Sequence, residues 1–329
     1  MEFLPDGRLL VTEKPGRLRL VSQQGEVSSP LAGLPQVDYG GQGGLGDVVL
    51  HPDFEVNRWV YISFVEAGDA GTRGAAVARG TLSDSADALE GLQVLWRQLP
   101  KVDGQGHYGH RIAFDREGYL FISNGERQMF DPAQDMSGHL GKIVRLFDDG
   151  TAPFDNPFFD QGGVAQDIWS LGHRNPLGLA FDAQGRLWNT EMGPKHGDEL
   201  NLVKPGHNYG YPWVSNGDHY SGEEIPDHDT RPDLEAPMAY WVPAISPAGL
   251  MFYSGARFTQ WQGQAFTGGL SSKALVRIEI GEDSARELER YDMKARIREV
   301  QEGPDGDIWV LEDQRDGSGG RLLRLSPKP

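Results

Sequence analysis

Apolar residues in this chain fall into short runs, most of them alternating with polar residues at period 2, and the runs are separated by Gly- and Pro-bearing turns. Period-2 alternation bounded by such turns predicts β-strands rather than helices. One pattern recurs, in which an apolar residue is followed by Pro-Asp-Gly or a relative and then by an alternating strand. It reads Phe3-Leu-Pro-Asp-Gly-Arg-Leu-Leu-Val11, then His51-Pro-Asp-Phe54 before Arg58-Trp-Val-Tyr-Ile-Ser63. It returns as Phe114-Asp-Arg-Glu-Gly-Tyr-Leu-Phe-Ile-Ser123, as Phe181-Asp-Ala-Gln-Gly-Arg-Leu-Trp188, and as Gly303-Pro-Asp-Gly-Asp-Ile-Trp-Val-Leu311. Each copy is a β-hairpin signature. Pro247–Tyr253 and Ala274–Ile280 take the place of a degenerate copy.

Six units of about 55 residues each follow, and self-similarity at such a period indicates a repeat architecture. Strand-only repeats with about four strands per unit point to an all-β, six-bladed β-propeller forming one domain over residues 1–329. Only Ala86–Leu92 and Phe258–Trp261 hint at short helices. The polar stretches Asn124–Gly141 and Tyr211–Trp241 are expected to be loops over one face. Phe3-Leu-Pro closes a strand that other copies begin several residues earlier, so the first unit is expected to have a short inner strand.

Composition narrows the partners. The net charge of −17 argues against nucleic acid and anionic lipid, both polyanions. No apolar run approaches the about 18 residues that span a membrane, so membrane insertion is not expected. There is no cysteine, hence no disulfide or thiol chemistry. Met1-Glu-Phe-Leu-Pro-Asp-Gly7 shows neither the charged nor the apolar region of a signal peptide.

Several stretches carry candidate chemistry. In Leu171-Gly-His-Arg-Asn-Pro176, Arg174 offers a planar fork of donors and Asn175 can donate and accept, at the entrance of a buried strand. A structural ion pair would leave the same trace. Gly41-Gln-Gly-Gly-Leu-Gly46 satisfies the dinucleotide fingerprint, but strand and turn follow it where a helix is required, which excludes that reading. Its glycines fit close backbone approach with Gln42 at the bend, or simply a loop. His107 and His110 precede a strand of the third repeat; a histidine there suits proton transfer, and Glu126 at the other end of the hairpin is placed to fix its tautomer. Gly193, Pro194, Asp198, Glu199 and Tyr209 offer oxygen ligands without thiol or clustered imidazole, which suits calcium over zinc unless the acids are merely solvated. Arg296 and Arg298 face one side of a strand, so an anion is expected between them, either a carboxylate side chain or a ligand.

Taken together, Gly40-Gly-Gln-Gly-Gly-Leu45, Leu171–Pro176, Glu191-Met-Gly-Pro194 with Asp198-Glu-Leu-Asn-Leu202, Asn208-Tyr-Gly210 and Arg296-Ile-Arg298 resemble the soluble PQQ-dependent aldose sugar dehydrogenases of the glucose/sorbosone dehydrogenase family. The resemblance runs over essentially the whole chain. It implies that Gln42, Arg174, Asn175, Arg296 and Arg298 hold the carboxylates and quinone oxygens of pyrroloquinoline quinone, PQQ. It makes His107 the catalytic base, oriented by Glu126. It gives Gly193 and Pro194 as carbonyl ligands of a calcium ion at the cofactor, Glu199 and Tyr209 to a second calcium, Tyr220 to the cofactor's surroundings and Trp241 to the sugar. It further implies aldoses as substrates, lactones as products, an external electron acceptor, a periplasmic or secreted location and a monomer or homodimer. Arg174 would stabilise charge developing on the quinone. Two positions depart from the family's glucose enzymes, which place an Asp before the base, here Gly106, and a lysine in the loop matching Gly269–Lys273. Ser271 aligns with that lysine and Lys273 lies two places on, so the broader aldose branch fits better. The competing readings are a calcium-dependent propeller hydrolase, such as a lactonase, and a non-catalytic binding propeller. The cationic candidates favour an anionic cofactor over the first, and retention of His107 with three arginines disfavours the second.

Overall fold

Every copy of the turn motif joins the first and second strands of an antiparallel sheet. The computed structural model describes residues 1–314 and 319–328. The first sheet has β1 (Glu2–Phe3), β2 (Leu9–Glu13) and β3 (Arg17–Val21); the second has β4 (Leu45–Leu50), β5 (Trp59–Ala67), β6 (Arg73–Leu82) and β7 (Leu89–Arg97). The third has β8 (Gly109–Phe114), β9 (Leu120–Asn124), β10 (Lys142–Leu146) and β11 (Ile168–Leu171). The fourth has β12 (Pro176–Phe181), β13 (Leu187–Glu191), β14 (Asp198–Val203) and β15 (Ala239–Trp241). The fifth has β16 (Pro247–Phe252), β17 (Ala265–Gly269), β18 (Ala274–Ile280) and β19 (Ala285–Asp292), and the sixth β20 (Arg296–Glu302), β21 (Ile308–Asp313) and β22 (Leu322–Leu325). These meanders are the blades of the six-bladed β-propeller class, and the chain is all-β. It divides into two compact units, Met1–Asn175 and Pro176–Pro329, with three sheets in each.

In two copies an aspartate side chain closes the turn. Oδ1 of Asp115 accepts the amides of Glu117 and Tyr119 at 3.1 and 2.8 Å, and Oδ1 of Asp182 accepts those of Gln184 and Arg186 at 2.9 Å each. A short carboxylate thus mimics a backbone acceptor and closes the turn. Gly118 and Gly185 complete it at φ 85° and 78°, where a Cβ would be strained.

Strands in the middle of a sheet are buried on both faces, and alternation sorts their side chains between two cores. In the first unit Val60, Ile62 and Phe64 of β5 pack with Leu10, Leu18, Val48 and Ala76, whereas Tyr61 packs with Val77, Ile112, Ile122 and Val144. The second unit repeats the arrangement on β18, with Val276 and Ile278 in one cluster and Leu275 in the other. Ile62 is fully buried, so truncating it to Ala would cost about 2–5 kcal/mol.

Three expectations need correction. Ala86–Leu92 is not a helix: Ala86 turns at φ 55° and β7 begins at Leu89. Ser83 Oγ accepts the amides of Asp87 and Ala88, and Ala32 exchanges backbone hydrogen bonds with Asp87 and Leu89, which pulls the segment out straight. The stretch 211–241 is not loop throughout, because its last three residues form β15 against β14, with Asp198 opposite Trp241. A single α-helical turn at Phe54–Asn57, ended by Arg58 at φ 56°, fills what reads as a plain turn. The expected 258–261 helix is a 3₁₀ turn at Thr259–Trp261, and β1 has only two residues. Among the described residues no helix is long and apolar enough to cross a membrane.

Candidate functional site

The β8–β9 hairpin builds the site of the first unit. Gly109 pairs with Asn124, which places His107 just before one strand and Glu126 just after the other. Nδ1 of His107 lies 2.5 Å from Oε1 of Glu126. Oε2 of the same carboxylate accepts the amides of Met129 and Phe130 at 2.6 and 3.2 Å, and the Glu126 amide donates to the Arg174 carbonyl at 2.9 Å. Glu126 is fully buried and His107 is 6% exposed. A carboxylate on Nδ1 holds that nitrogen as the donor and leaves Nε2 as a proton acceptor. Burial pushes the His107 imidazolium below its ordinary value, the hydrogen bond to Glu126 pulls it back, and the Arg174 charge lowers it again, for a net depression. The imidazole is therefore neutral near pH 7, as a general base must be.

Two loops hold the imidazole in place. Gln42 accepts the His107 amide at 2.8 Å through Oε1 and donates its own amide to the Gln105 carbonyl at 2.8 Å. The glycine-rich segment around Gln42 must come close to the His107 loop, and a Cβ on Gly46 would stand 1.9 Å from the His110 ring. Close approach, rather than phosphate binding, is what these glycines serve. His110, the other candidate, is hydrogen-bonded through Nδ1 to Ser63 Oγ at 2.9 Å. His107 itself sits at φ 48°, a left-handed conformation that a non-glycine residue keeps only when its surroundings enforce it. Part of that enforcement comes from Arg127, which nothing in the sequence singles out. Its guanidinium donates to the carbonyls of Gly106, Gly104 and Arg73 at 2.7–2.8 Å and lies 3.9 Å over the Tyr108 ring.

Arg174 and Asn175 follow β11 and are 7% and 0% exposed. Neither Oδ1 nor Nδ2 of Asn175 finds a hydrogen-bond partner among the described residues. The amide and the His107 backbone both close on Gly125, since a Cβ there would lie 3.1 Å from Asn175 Oδ1 and 2.3 Å from the His107 carbonyl oxygen. A buried amide with both ends unpaired is costly unless a ligand completes it. With Gln42 and the Arg174 cation it forms a donor-rich set suited to an oxygen-bearing anion such as PQQ.

In the second unit, register brings carboxylates and amides together on β13 and β14, with Glu191 opposite Glu199 and Asn189 opposite Asn201. Asn201 Nδ2 donates to Glu191 Oε1 at 2.9 Å and to Glu199 Oε2 at 3.1 Å, while Oδ1 of Asn189 and of Asn201 are buried without a partner among the described residues. Around Glu199 the side chains of Glu191, Asn189 and Asn201 offer oxygen atoms without thiol or imidazole, the donor type that calcium takes. No cluster of three or more His, Cys, Asp or Glu that could hold a metal occurs among the described residues. Tyr209 contributes structure: its hydroxyl donates to the Leu202 carbonyl and accepts the Lys204 amide, both at 2.9 Å or less, and burial raises its pKa, reinforced by Glu235, Glu191 and Glu199. Its carbonyl lies 3.2 Å from His228 Nε2. Gly193 and Pro194 form a buried turn pinned by the Gly193 amide on Asp198 Oδ1 at 3.0 Å. Oδ2 of Asp198 accepts the amides of Ile245 and Ser246 at 2.7 Å each, so this acid is a fold residue.

Arg296 and Arg298 do share an anion, and it belongs to the chain. Asp313 Oδ2 lies 3.4 Å from Arg296 Nη2 and 2.6 Å from Arg298 Nη2. Burial pushes the Asp313 carboxyl up, but the two guanidinium groups outweigh it and hold the group below the usual carboxylate range. Tyr220 is 75% exposed in the 211–238 loop. Trp241 has the surroundings of a packing residue: it is 6% exposed, sits among Trp188, Leu200, Ile245 and Val276, and donates its indole N–H to Glu287 at 2.7 Å. Ser271 Oγ accepts from Ser246 Oγ at 2.9 Å, and Lys273 occupies a turn at φ 53°.

Comparison with known proteins gives consistent relatives. The Glucose / Sorbosone dehydrogenase family model matches residues 1–324. Aldose sugar dehydrogenase YliI of Escherichia coli (strain K12) is 41% identical over 334 residues, covering 100% of this chain and 89% of that protein. Among solved structures, the apo form of the soluble aldose sugar dehydrogenase from Escherichia coli matches with a TM-score of 0.95 at 41% identity, covering 99% of this chain and 95% of that one. The PQQ-bound form of aldose sugar dehydrogenase from Streptomyces coelicolor matches with a TM-score of 0.79 at 28% identity, covering 99% and 92%.

Proposed function

The chain belongs to the glucose/sorbosone dehydrogenase family, and from that premise we propose that it is a PQQ-dependent aldose dehydrogenase, oxidising the anomeric carbon of cyclic aldoses to lactones. The observation that carries this reading is the buried His107–Glu126 pair, joined in the same unit by the buried, unpaired amide of Asn175. Gln42, Arg174 and Asn175 are the first unit's proposed PQQ ligands. Arg296, Arg298 and Tyr220 keep the cofactor assignment that the resemblance gives them, as do Gly193, Pro194, Glu199 and Tyr209 for calcium and Trp241 for the sugar. When bound, PQQ supplies the two-electron acceptor for the anomeric hydride, and calcium supplies Lewis acidity.

The chain's own residues handle the proton. His107 Nε2 takes the proton of the anomeric hydroxyl, and loss of that proton together with the C1 hydride leaves the lactone carbonyl. Glu126 keeps Nδ1 protonated and stabilises the imidazolium that forms. Arg174 sets a fixed positive charge next to the base, which disfavours a standing proton on His107 and favours negative charge arising nearby. Burial excludes water from both partners of the pair. A periplasmic or secreted location and an external electron acceptor complete the proposal.

Titration of the apoprotein with PQQ in the presence of calcium tests it. Aldose:dye oxidoreductase activity should appear only with both. Activity with NAD alone, or lactone hydrolysis without PQQ, would overturn the assignment. His107→Ala should lose most turnover while PQQ binding stays nearly intact, whereas Arg174→Ala should raise the PQQ concentration for half-reconstitution and lower turnover at saturation.

A further inference from the structure

Arg127 is 2% exposed, and the proton transfer described above makes no use of its charge. It forms no ion pair among the described residues. Its nitrogens go instead to backbone carbonyls, Nε to Gly106 at 2.8 Å, Nη1 to Arg73 at 2.8 Å and Nη2 to Gly104 at 2.7 Å. The guanidinium lies 3.9 Å over the Tyr108 ring. A buried cation is costly without a partner anion, so packing alone does not account for it.

The contacts converge on the backbone that carries the base. The Gly106–His107 peptide is held at both ends, its carbonyl by Arg127 Nε and its N–H by Gln42 Oε1 at 2.8 Å. The carbonyl of the following peptide accepts the Arg127 amide at 3.3 Å. Two peptide planes meet at the His107 Cα, and their orientations are its φ and ψ. Pinning both planes keeps the left-handed φ of 48° and sets the direction in which the imidazole leaves the backbone. Nη1 reaches farther, to the first residue of β6, so the loop before the base is tied to the second sheet. Glu126 holds the ring at Nδ1, and Arg127 holds the backbone from which the ring projects.

We propose that Arg127 is a positioning residue for the base, its guanidinium fixing the His107 backbone and with it the direction of the imidazole; this rests on the aldose dehydrogenase reading above. A planar fork suits the task because its donors leave in fixed directions toward three carbonyls. An ammonium is a point donor on a flexible stem. In this role Arg127 touches neither sugar nor cofactor and acts through His107. The same cation bears on the charge of the base. His107 is faced by Glu126, Arg174 and Arg127; burial is the largest cause of its depressed pKa, Glu126 opposes it and both arginines add to it. Arg127 is itself faced by Tyr108, Arg73 and Glu126.

Arg127→Met removes both fork and charge, whereas Arg127→Lys keeps the charge and loses the fork. In the holoenzyme reconstituted with PQQ and calcium, both should lower kcat by about 10- to 100-fold, the scale of a misplacement of about 1 Å. KM and the PQQ concentration for half-reconstitution should stay near wild type. The acid limb of kcat/KM should move to higher pH in Arg127→Met and stay in place in Arg127→Lys, whose ammonium is protonated there. Nitrogen-15 NMR titration of His107 in the apoprotein reads the same charge effect without turnover, and its midpoint should rise in Arg127→Met only. Wild-type kcat with an unmoved limb in both variants, and only the melting temperature lowered, would mark a purely structural residue and overturn the proposal. Should Arg127→Met fail to fold, Arg127→Lys decides alone, because wild-type kcat there shows that the fork is dispensable. Failure of the wild type to oxidise any aldose with PQQ and calcium overturns the dehydrogenase reading, and the NMR titration still shows whether Arg127 acts on His107.

Discussion

Nδ1 of His107 and Oε1 of Glu126 meet at 2.5 Å although they are 19 positions apart in the chain. The β8–β9 hairpin makes the contact, and the second carboxylate oxygen is already committed to the Met129 and Phe130 amides. Glu126 therefore fixes the imidazole tautomer and the adjoining turn together. Glu126→Gln preserves shape and removes the charge, so it should lower kcat by less than the about 10²–10⁴-fold expected for His107→Ala. The comparison is made by steady-state kinetics at saturating PQQ. Equal turnover in Glu126→Gln and wild type would show that the carboxylate has no part in the proton transfer.

The depressed pKa of His107 sets the acid limb of activity. Since the base must be neutral, kcat/KM should hold to a pH below the ordinary imidazole value of about 6.5. Burial is the largest cause, and Glu126 opposes it. Glu126→Gln should accordingly move the limb to still lower pH, even as it slows the reaction. The folded value lies below the unfolded one, so the associated stability is present above about 6.5 and is lost as pH falls through the folded value. A pH–rate profile whose acid limb lies above 6.5 in the wild type would contradict this.

How much of this was legible depended on the range over which each residue acts. The blades were readable because their turns are local: Asp115 and Asp182 cap amides two and four residues on, so a short motif carries the whole instruction. The His107–Glu126 contact was accessible for the same reason, being one hairpin wide. The Ala86–Leu92 segment was misread because Ala32, more than fifty positions earlier, bridges its first residues, and β7 then pairs along β6. Arg127 escaped notice because its role depends on left-handed backbone at a non-glycine residue, which no composition signals. The arginine pair showed that an anion was needed; Asp313 supplies it only because strand register sets it opposite Arg296.

Asp313 links stability to cofactor affinity. Its carboxylate separates the charges of Arg296 and Arg298. Asp313→Asn should destabilise the apoprotein by about 1–3 kcal/mol, the scale of a charge-assisted hydrogen bond left unmade. If both guanidinium groups hold carboxylates of PQQ, the same substitution should lower the PQQ concentration needed for half-reconstitution, because no internal anion competes. Thermal unfolding and PQQ titration then move in opposite directions. Weaker PQQ binding together with lower stability would mean that Asp313 positions the arginines for the cofactor rather than competing with it.

Lys142 offers a test of how the segment after the base turn is held. It is fully buried on β10, and its Nζ donates to the carbonyls of Pro132, Ala133 and Leu140 at 2.9, 2.9 and 2.7 Å. Pro132 and Ala133 lie in the 3₁₀ turn Asp131–Gln134 that follows Phe130, so one side chain ties the loop back to the sheet. Burial pushes the ammonium down to about 7, with only Asp135 raising it. An unfolded lysine titrates near 10.4. Between about 7 and 10 the unfolded chain therefore binds a proton that the folded chain does not, and stability rises with pH by up to about 1.4 kcal/mol per unit. The ammonium supplies three donors and the neutral amine two, whereas Lys142→Met has no titrating group and supplies none. Its stability deficit relative to wild type should consequently widen as pH is raised from 7 to 9, read by urea unfolding at fixed ionic strength. A deficit that stays constant over that range would show that Lys142 remains charged in the folded protein, held by its three carbonyls against the cost of burial.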